Sequence, residues 1–315
     1  MSAPNVSVIM PCYNHGKFVA ESMASILGQT HKDLELIVVD DCSKDDSWEV
    51  ITRVAAGDPR VKPIRHERNM GASRSRNDGL RAATGEFIGF CDADDIWEPA
   101  KLEFQVSLLR RSSDFDVAFC DAILVDENGR PKNQRFSELF APPNEPSGRL
   151  FEHLIWRNFV NIQTVLMRRE CLDDAGYFDE GIKWVEDWWF WIKVARHHRF
   201  IYTRDPLARY RVHSNSTALV QRRGYHVNRC KVLHRILMEY SDLPPAREAF
   251  AIYQLGVELC ILGKTRIGRG LLWEAAKLAL VDIRALDCLG RALWKMVRFA
   301  ALPVRVGAPA APKTP

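Results

Sequence analysis

At 315 residues and 47% hydrophobic content the chain can bury a sizeable core, and one large domain with a smaller one is the natural division. Eight cysteines without a C-x-x-C pair speak against a disulfide framework or a zinc site, and the N-terminus lacks the basic start of a secretory signal. No apolar run reaches the roughly 18 residues that a spanning helix needs, and the net charge of +4 hides an acidic body with a basic tail, residues 221–315 holding 16 Lys and Arg against 7 Asp and Glu.

Residues 6–10 form an apolar, β-branched run ended by Pro11, which predicts a central strand. The loop P-C-Y-N-H-G leads into a helix with Val19, Met23 and Ile26/Leu27 on one face. A second strand over 34–39 ends at Asp40 and Asp41, and Ser43 and Asp45 are candidate caps for a helix that turns Trp48, Ile51 and Val54 inward. A short strand at 61–65, an arginine-rich helix over 72–83 and a strand at 87–91 follow. The last runs straight into Asp92, Asp94 and Asp95. Further on come a helix carrying Leu102, Val106 and Leu109, a strand at 116–120, a polar mobile excursion at 126–149 and a strand at 162–167. After the turn G-Y-F-D-E, four tryptophans between 184 and 191 surround Glu186 and Asp187 at the head of a helix; a strand at 207–213 closes the series. Residues 221–306 read as a helical region, with the domain boundary near 220, and the Pro/Ala-rich residues 307–315 as disordered.

Strand and helix alternating at this spacing predict βαβ winding and a mostly parallel sheet, with ligands beyond the carboxyl ends of its strands. Residues 11–14, 40–41 and 92–95 all lie at those ends. Three carboxylates after a buried strand repel one another unless a hard divalent cation, Mg²⁺ or Mn²⁺, is held there. The competing reading of that stretch is a solvated acidic turn with Asp95 capping a helix.

The segments V-S-V-I-M-P-C-Y-N, L-I-V-V-D-D-C-S, N-M-G-A-S-R-S-R-N-D-G-L, A-T-G-E-F-I-G-F-C-D-A-D-D, G-Y-F-D-E with E-D-W-W-F-W, and Y-R-V-H-S-N-S-T appear in one order. Together, over roughly residues 5–217, they resemble the inverting family 2 glycosyltransferases of GT-A fold, an α/β Rossmann-like architecture, here with a C-terminal helical extension. The resemblance implies a nucleoside-diphosphate sugar donor, UDP-linked, and a glycan or lipid-linked acceptor hydroxyl. It implies that Pro11 and Tyr13 border the nucleotide, that Asp41 accepts a hydrogen bond from the base, with a share for Asp40 left open, and that Arg76 neutralises diphosphate, with Arg74 as competitor. Asp92 and Asp94 would form the Asp-x-Asp pair, with Asp94 or Asp95 touching the metal, Mn²⁺ or Mg²⁺, beside His213, and the others touching the donor ribose or a metal-bound water. Asp187 would be the general base, with Glu186 and Trp188 toward the acceptor.

A dinucleotide-dependent oxidoreductase is disfavoured because the first turn lacks G-x-G-x-x-G. A non-catalytic sugar-nucleotide scaffold whose tail binds a partner is the alternative from another class, and no nucleic-acid partner is expected. Residues 284–302 carry Arg284, Arg291, Lys295 and Arg298 on one stripe and leucines on another. The expectation is a cytoplasmic enzyme touching the inner face of the membrane through this helix, the competing reading being ordinary helix packing.

Overall fold

The computed structural model describes residues 4–140, 142, 146–213 and 222–281. The expected tail at 307–315 and the stripe at 284–302 lie outside them. Two compact units divide the chain, Met1–Val232 and Leu233–Pro315.

The first unit opens with β1 (Val6–Cys12), α1 (Gly16–Leu27), β2 (Leu34–Asp40), α2 (Ser47–Gly57), β3 (Val61–Arg65), α3 (Ala72–Ala82) and β4 (Phe87–Phe90). Every residue of β2 is buried and β1 is buried at all but one position, as expected of strands covered on both faces. Fully burying each such Val, Leu or Ile is worth roughly 1.5–3 kcal/mol. Helix α3 lies close against β1 because Gly79 has no Cβ; one would sit 2.5 Å from Ile9 Cγ2. This close approach brings Arg76, on the same helix, to the end of the sheet.

The parallel winding read from the sequence covers the order β3-β2-β1-β4. Beyond β4 the sheet becomes mixed and continues β8-β6-β9-β5, through β5 (Ile96–Trp97), β6 (Val117–Val125), β8 (Val165–Arg168) and β9 (Phe200–Arg211). Strand β8 is antiparallel to both β4 and β6, whereas β6 and β9 run parallel. Strand β9 begins well before the expected 207 because it follows β6 along its whole length, with irregularities near Asp121. Residues 162–164, expected as strand, form a 3₁₀ turn, since Asn161 holds the Gln163 N–H at 3.2 Å.

The excursion is partly ordered. At Asn128–Gly129, with Gly129 at φ 77°, the chain folds β7 (Pro131–Arg135) back onto β6. Helices α4 (Lys101–Arg111), α5 (Phe136–Leu139), α6 (Phe151–Trp156), α7 (Cys171–Ala175) and α8 (Glu186–His197) complete the layers, followed by the helix Arg222–Glu239. Neither α5 nor α6 was legible as a periodic segment, being only 4 and 6 residues long. In the second unit the helices Pro245–Ile261 and Thr265–Val281 are joined by a turn at Gly263 (φ 81°). No helix among the described residues is long and apolar enough to cross a membrane. All cysteines among them are free, and burial raises the Cys12 thiol to about 12 and Cys120 to about 11, so these thiols act as small apolar groups.

Candidate active site

Register places the polar strand ends side by side. Cys12 lies opposite Asp40 and Asp40 opposite Arg65, so Tyr13, Asp41 and His66 leave the sheet as neighbours. Strand β4 stops with Phe90 opposite Ile9, and the Asp92–Asp95 turn therefore lies beside the last residues of β1. Pro11, half-buried and paired with Val39, sits in β1 rather than ending it. Its missing N–H falls on the side where β4 has already stopped.

At the first end, Asp41 is buried and accepts the Met70 and Gly71 N–H groups, each at 2.7 Å, while Tyr13 is 42% exposed. Asp40 is wholly buried, accepts from Ser43 N–H and faces Arg65 Nε at 3.4 Å. The structure thus leaves Asp41 and not Asp40 toward the loop. Asp46 takes the cap position of α2, so Ser43 does not cap it, while Asp45 does accept the N–H of its first residue. Ser43 Oγ accepts the Asn14 N–H, and Asp45 accepts both the Gly16 and Ser47 N–H groups, so the loops after β1 and β2 are tied together. Asn14 (φ 56°) and Cys42 (φ 63°) hold left-handed backbone that lets these loops turn toward each other.

This knitting delivers a residue that no sequence motif pointed to. His15, its N–H donated to Ser47 Oγ at 2.9 Å, joins Asp94 and His213 in a group whose ligand atoms lie within 4.8 Å of one another. His213 Nε2 is 2.9 Å from Asp94 Oδ2, and the Phe18 ring packs on His213 at 5.1 Å. The Asp94 carboxyl is pushed up by burial but held below its ordinary value by His213 and the nearby His15. Two imidazoles and a carboxylate suit Mn²⁺ better than Mg²⁺, which prefers an all-oxygen octahedron. These three residues fit a divalent ion.

Asp95 plays a different part from the one expected. It is buried, accepts the Arg211 N–H at 2.8 Å, and does not cap α4, whose cap position is Ala100. Burial, with Asp94 and Asp92 beside it, raises its carboxyl well above the usual range. Arg211, also missed from sequence, donates to Asp94 O, Glu127 O and Glu21 Oε2 and locks the aspartate turn to β9 and α1. Asp92 and Asp94 remain as the accessible carboxylates.

At the other end Arg76 Nη2 donates to Asp92 Oδ1 at 2.8 Å and Nη1 to Glu186 Oε1 at 2.7 Å. Burial opposes its charge, yet the two carboxylates hold the guanidinium above its ordinary value. Arg74 instead pairs with Asp78 on the outer side of α3. Asn77 exchanges hydrogen bonds with the Phe178 backbone, both at 2.9 Å, joining S-R-N to G-Y-F-D.

Asp187 Oδ1 accepts the Trp188 N–H at 2.7 Å and Oδ2 the Asn158 amide at 2.9 Å. Asn158, in the loop after α6, was not singled out from sequence, where a lone Asn carries no signal. Burial and the adjacent Glu186 raise the Asp187 carboxyl from 3.8 to about 7 against the pull of Arg76. Just before α8, Trp184 sits at φ 64°, a strained backbone for a bulky residue, its ring against Gly224. Trp188, expected as an acceptor platform, is 1% exposed. Its indole N–H donates to Leu154 O at 2.6 Å and Arg229 covers its ring, so it is core.

The Glycosyl transferase family 2 model matches residues 7–174, just over half of the chain. The chain belongs to that family. An uncharacterized glycosyltransferase of Methanocaldococcus jannaschii is 30% identical over 221 residues, 67% of this transferase and 72% of that protein. The putative teichuronic acid biosynthesis glycosyltransferase TuaG of Bacillus subtilis is 29% identical over 215 residues, 68% of this chain and 81% of its own. Among solved structures, S. aureus TarS 1-349 in complex with UDP-GlcNAc superposes with a TM-score of 0.62 at 27% identity, covering 81% of this transferase and 71% of that chain. Mannosyltransferase PcManGT from Pyrobaculum calidifontis, in complex with GDP-Man and Mn²⁺, shares the fold at a TM-score of 0.54 and 22% identity over 94% and 88% of the two chains. The family 2 transferase therefore has the GT-A fold expected of it.

Proposed function

We propose that this transferase moves a sugar with inversion from a UDP-sugar to a glycan or lipid-linked hydroxyl, with Asp187 as general base. The observation that carries this reading is a carboxylate held near 7 by burial, oriented by Asn158 and joined through Glu186 and Arg76 to the donor-side Asp92. The UDP-GlcNAc bound by TarS supports the donor class.

In the reaction Asp187 takes the proton of the acceptor hydroxyl as that oxygen attacks the anomeric carbon on the face opposite the diphosphate. The new C–O bond forms while the bond to the diphosphate breaks, and the nucleoside diphosphate leaves with the bonding electrons. Tyr13 and Asp41 border the base, and Arg76 keeps Asp92 and Glu186 in register between donor and acceptor. His15, Asp94 and His213 would hold the divalent ion, which when bound supplies Lewis-acid stabilisation of charge on the leaving diphosphate. Incubation with UDP-GlcNAc, UDP-Glc and GDP-Man plus Mn²⁺ should release UDP from one of the first two. An α-linked donor should yield a β-linked product by NMR. A retained configuration would overturn inversion, and UDP binding without turnover would leave the non-catalytic sugar-nucleotide scaffold.

Peripheral contact with an anionic membrane is part of the same proposal. On the helix Thr265–Val281, Arg266, Arg269 and Lys277 form an exposed arc around Trp273, which is 66% exposed. Each basic residue near an anionic leaflet contributes about 1 kcal/mol, and the tryptophan suits the interface. The full chain should sediment with phosphatidylglycerol vesicles and not with phosphatidylcholine vesicles, and replacing the three basic residues with Glu should release at least half of it. Equal sedimentation with both vesicle types would remove the membrane from the reading.

A further inference from the structure

The third strand end carries a side chain that the reaction above does not use. Arg65 closes β3 opposite Asp40, and the next residue, His66, donates its N–H to Asp40 O at 2.9 Å. The imidazole of His66 then lies between two carboxylates from different elements. Nδ1 is 2.8 Å from Asp41 Oδ1, at the exit of β2, and Nε2 is 3.1 Å from Asp78 Oδ2, on α3. A carboxylate oxygen only accepts, so it is the tautomer with its proton on Nδ1 that donates to Asp41. Asp78 is itself fixed by Arg74 Nε and Arg81 Nη1, both at 2.7 Å. The arrangement is a chain of charge-assisted bonds from the surface of α3 to Asp41, and its inner members are largely shielded from water.

The consequence for Asp41 is a single open acceptor. Oδ1 receives the Met70 N–H and His66, Oδ2 receives the Gly71 N–H, and a carboxylate has about four lone-pair sites. Among the described residues one site on Oδ2 stays open, and the other three bonds set its direction. The backbone ties Asp41 to two segments that carry exposed, largely apolar side chains. Tyr13 follows Cys12, whose carbonyl accepts the Asp41 N–H at 2.8 Å, and Met70, 39% exposed, gives its own amide to Asp41. A flat ring set against Tyr13 and Met70 with one N–H toward Asp41 would satisfy all three.

We propose that His66, backed by Asp78, is a positioning residue that aims Asp41 at a ring N–H of the donor base, and so makes the enzyme prefer uracil over cytosine. The two bases have the same size, but uracil presents N–H at ring position 3 where cytosine presents a lone pair. A lone pair facing a fixed carboxylate is repelled and leaves a buried acceptor unpaired. The inference rests on the reading that Asp41 faces the donor base and adds the residues that give it direction.

Calorimetric titration with UDP and with CDP, each with Mn²⁺, tests it on four proteins. The unaltered chain should bind UDP at least about tenfold more tightly than CDP. His66→Asn keeps an N–H near the Nδ1 position and should hold most of that ratio. His66→Gln places its N–H near Nε2, out of reach of Asp41, and the ratio should fall about tenfold, with KM for the donor raised and kcat at saturation unchanged. Both variants lose the ring, so a purely structural role would move both equally. A ratio that survives in both, or falls alike in both, overturns the role of His66. Asp41→Asn separates the two levels of the inference. If it leaves the ratio unchanged, Asp41 does not read the base, whereas a ratio lost in Asp41→Asn but kept in His66→Gln sinks His66 alone.

Discussion

Replacing Asp187 with Asn should lower sugar transfer by about two to four orders of magnitude, the usual range for removing a general base, while UDP affinity stays near that of the unaltered chain. Asn keeps the shape and still accepts the Trp188 N–H, so α8 should remain in place. It cannot take a proton from the acceptor. The pH profile supplies an independent check. With the carboxyl raised to about 7, kcat/KM should climb with pH through that value and then level, because the base works only when ionised. Stability should run the other way. A carboxyl whose folded pKa exceeds its unfolded one stabilises the fold fully below the unfolded value near 3.8, and that contribution is lost as pH rises through about 7. The Asn variant escapes this loss, so its Tm at pH 8 should equal or exceed that of the unaltered protein. An Asp187→Asn enzyme that retained most of its turnover would move the base elsewhere, with Glu186 the first group to examine, since its Oε2 is buried and unpaired among the described residues.

Asp94→Ala should abolish the Mn²⁺-dependent part of UDP binding, a loss of about a hundredfold or more in affinity when titrations with and without Mn²⁺ are compared. Asp94 supplies the only carboxylate of the group formed with His15 and His213, and removing it leaves two imidazoles, which bring no negative charge to balance the cation's. His15→Ala should weaken Mn²⁺ binding at least tenfold, and it should narrow the preference for Mn²⁺ over Mg²⁺ because one of two imidazoles is gone. Metal affinity read by Mn²⁺ electron paramagnetic resonance separates this from an effect on turnover. Unchanged UDP affinity in Asp94→Ala with Mn²⁺ present would remove the ion from the donor site.

Much of this molecule is written locally. The buried runs of β1, β2 and β4, the amphipathic helices between them and the polar residues after each strand are set by side-chain periodicity, and parallel winding then forces those polar residues to one end of the sheet. Tyr13, Asp41 and Asp94 were visible for that reason, and Asp187 by its place among the tryptophans at the head of a helix. Which side chains meet was decided only by the tertiary structure. Arg74 and Arg76 differ by two positions on one helix, and the turn of roughly 200° between them sends one to solvent and the other to Glu186, 110 residues away. Asp94 and Asp95 are neighbours in a turn, yet one faces His213 and the other is consumed by the Arg211 backbone. Trp188 reads as a binding platform until Leu154 and Arg229 are seen to enclose it. His15, Asn158 and His66 carry no signal of their own, because a ligand, an orienting amide or a relay is defined by partners whose approach depends on strand register and helix rotation. Local sequence specifies the face a residue presents. Only packing of the whole sheet specifies what that face meets.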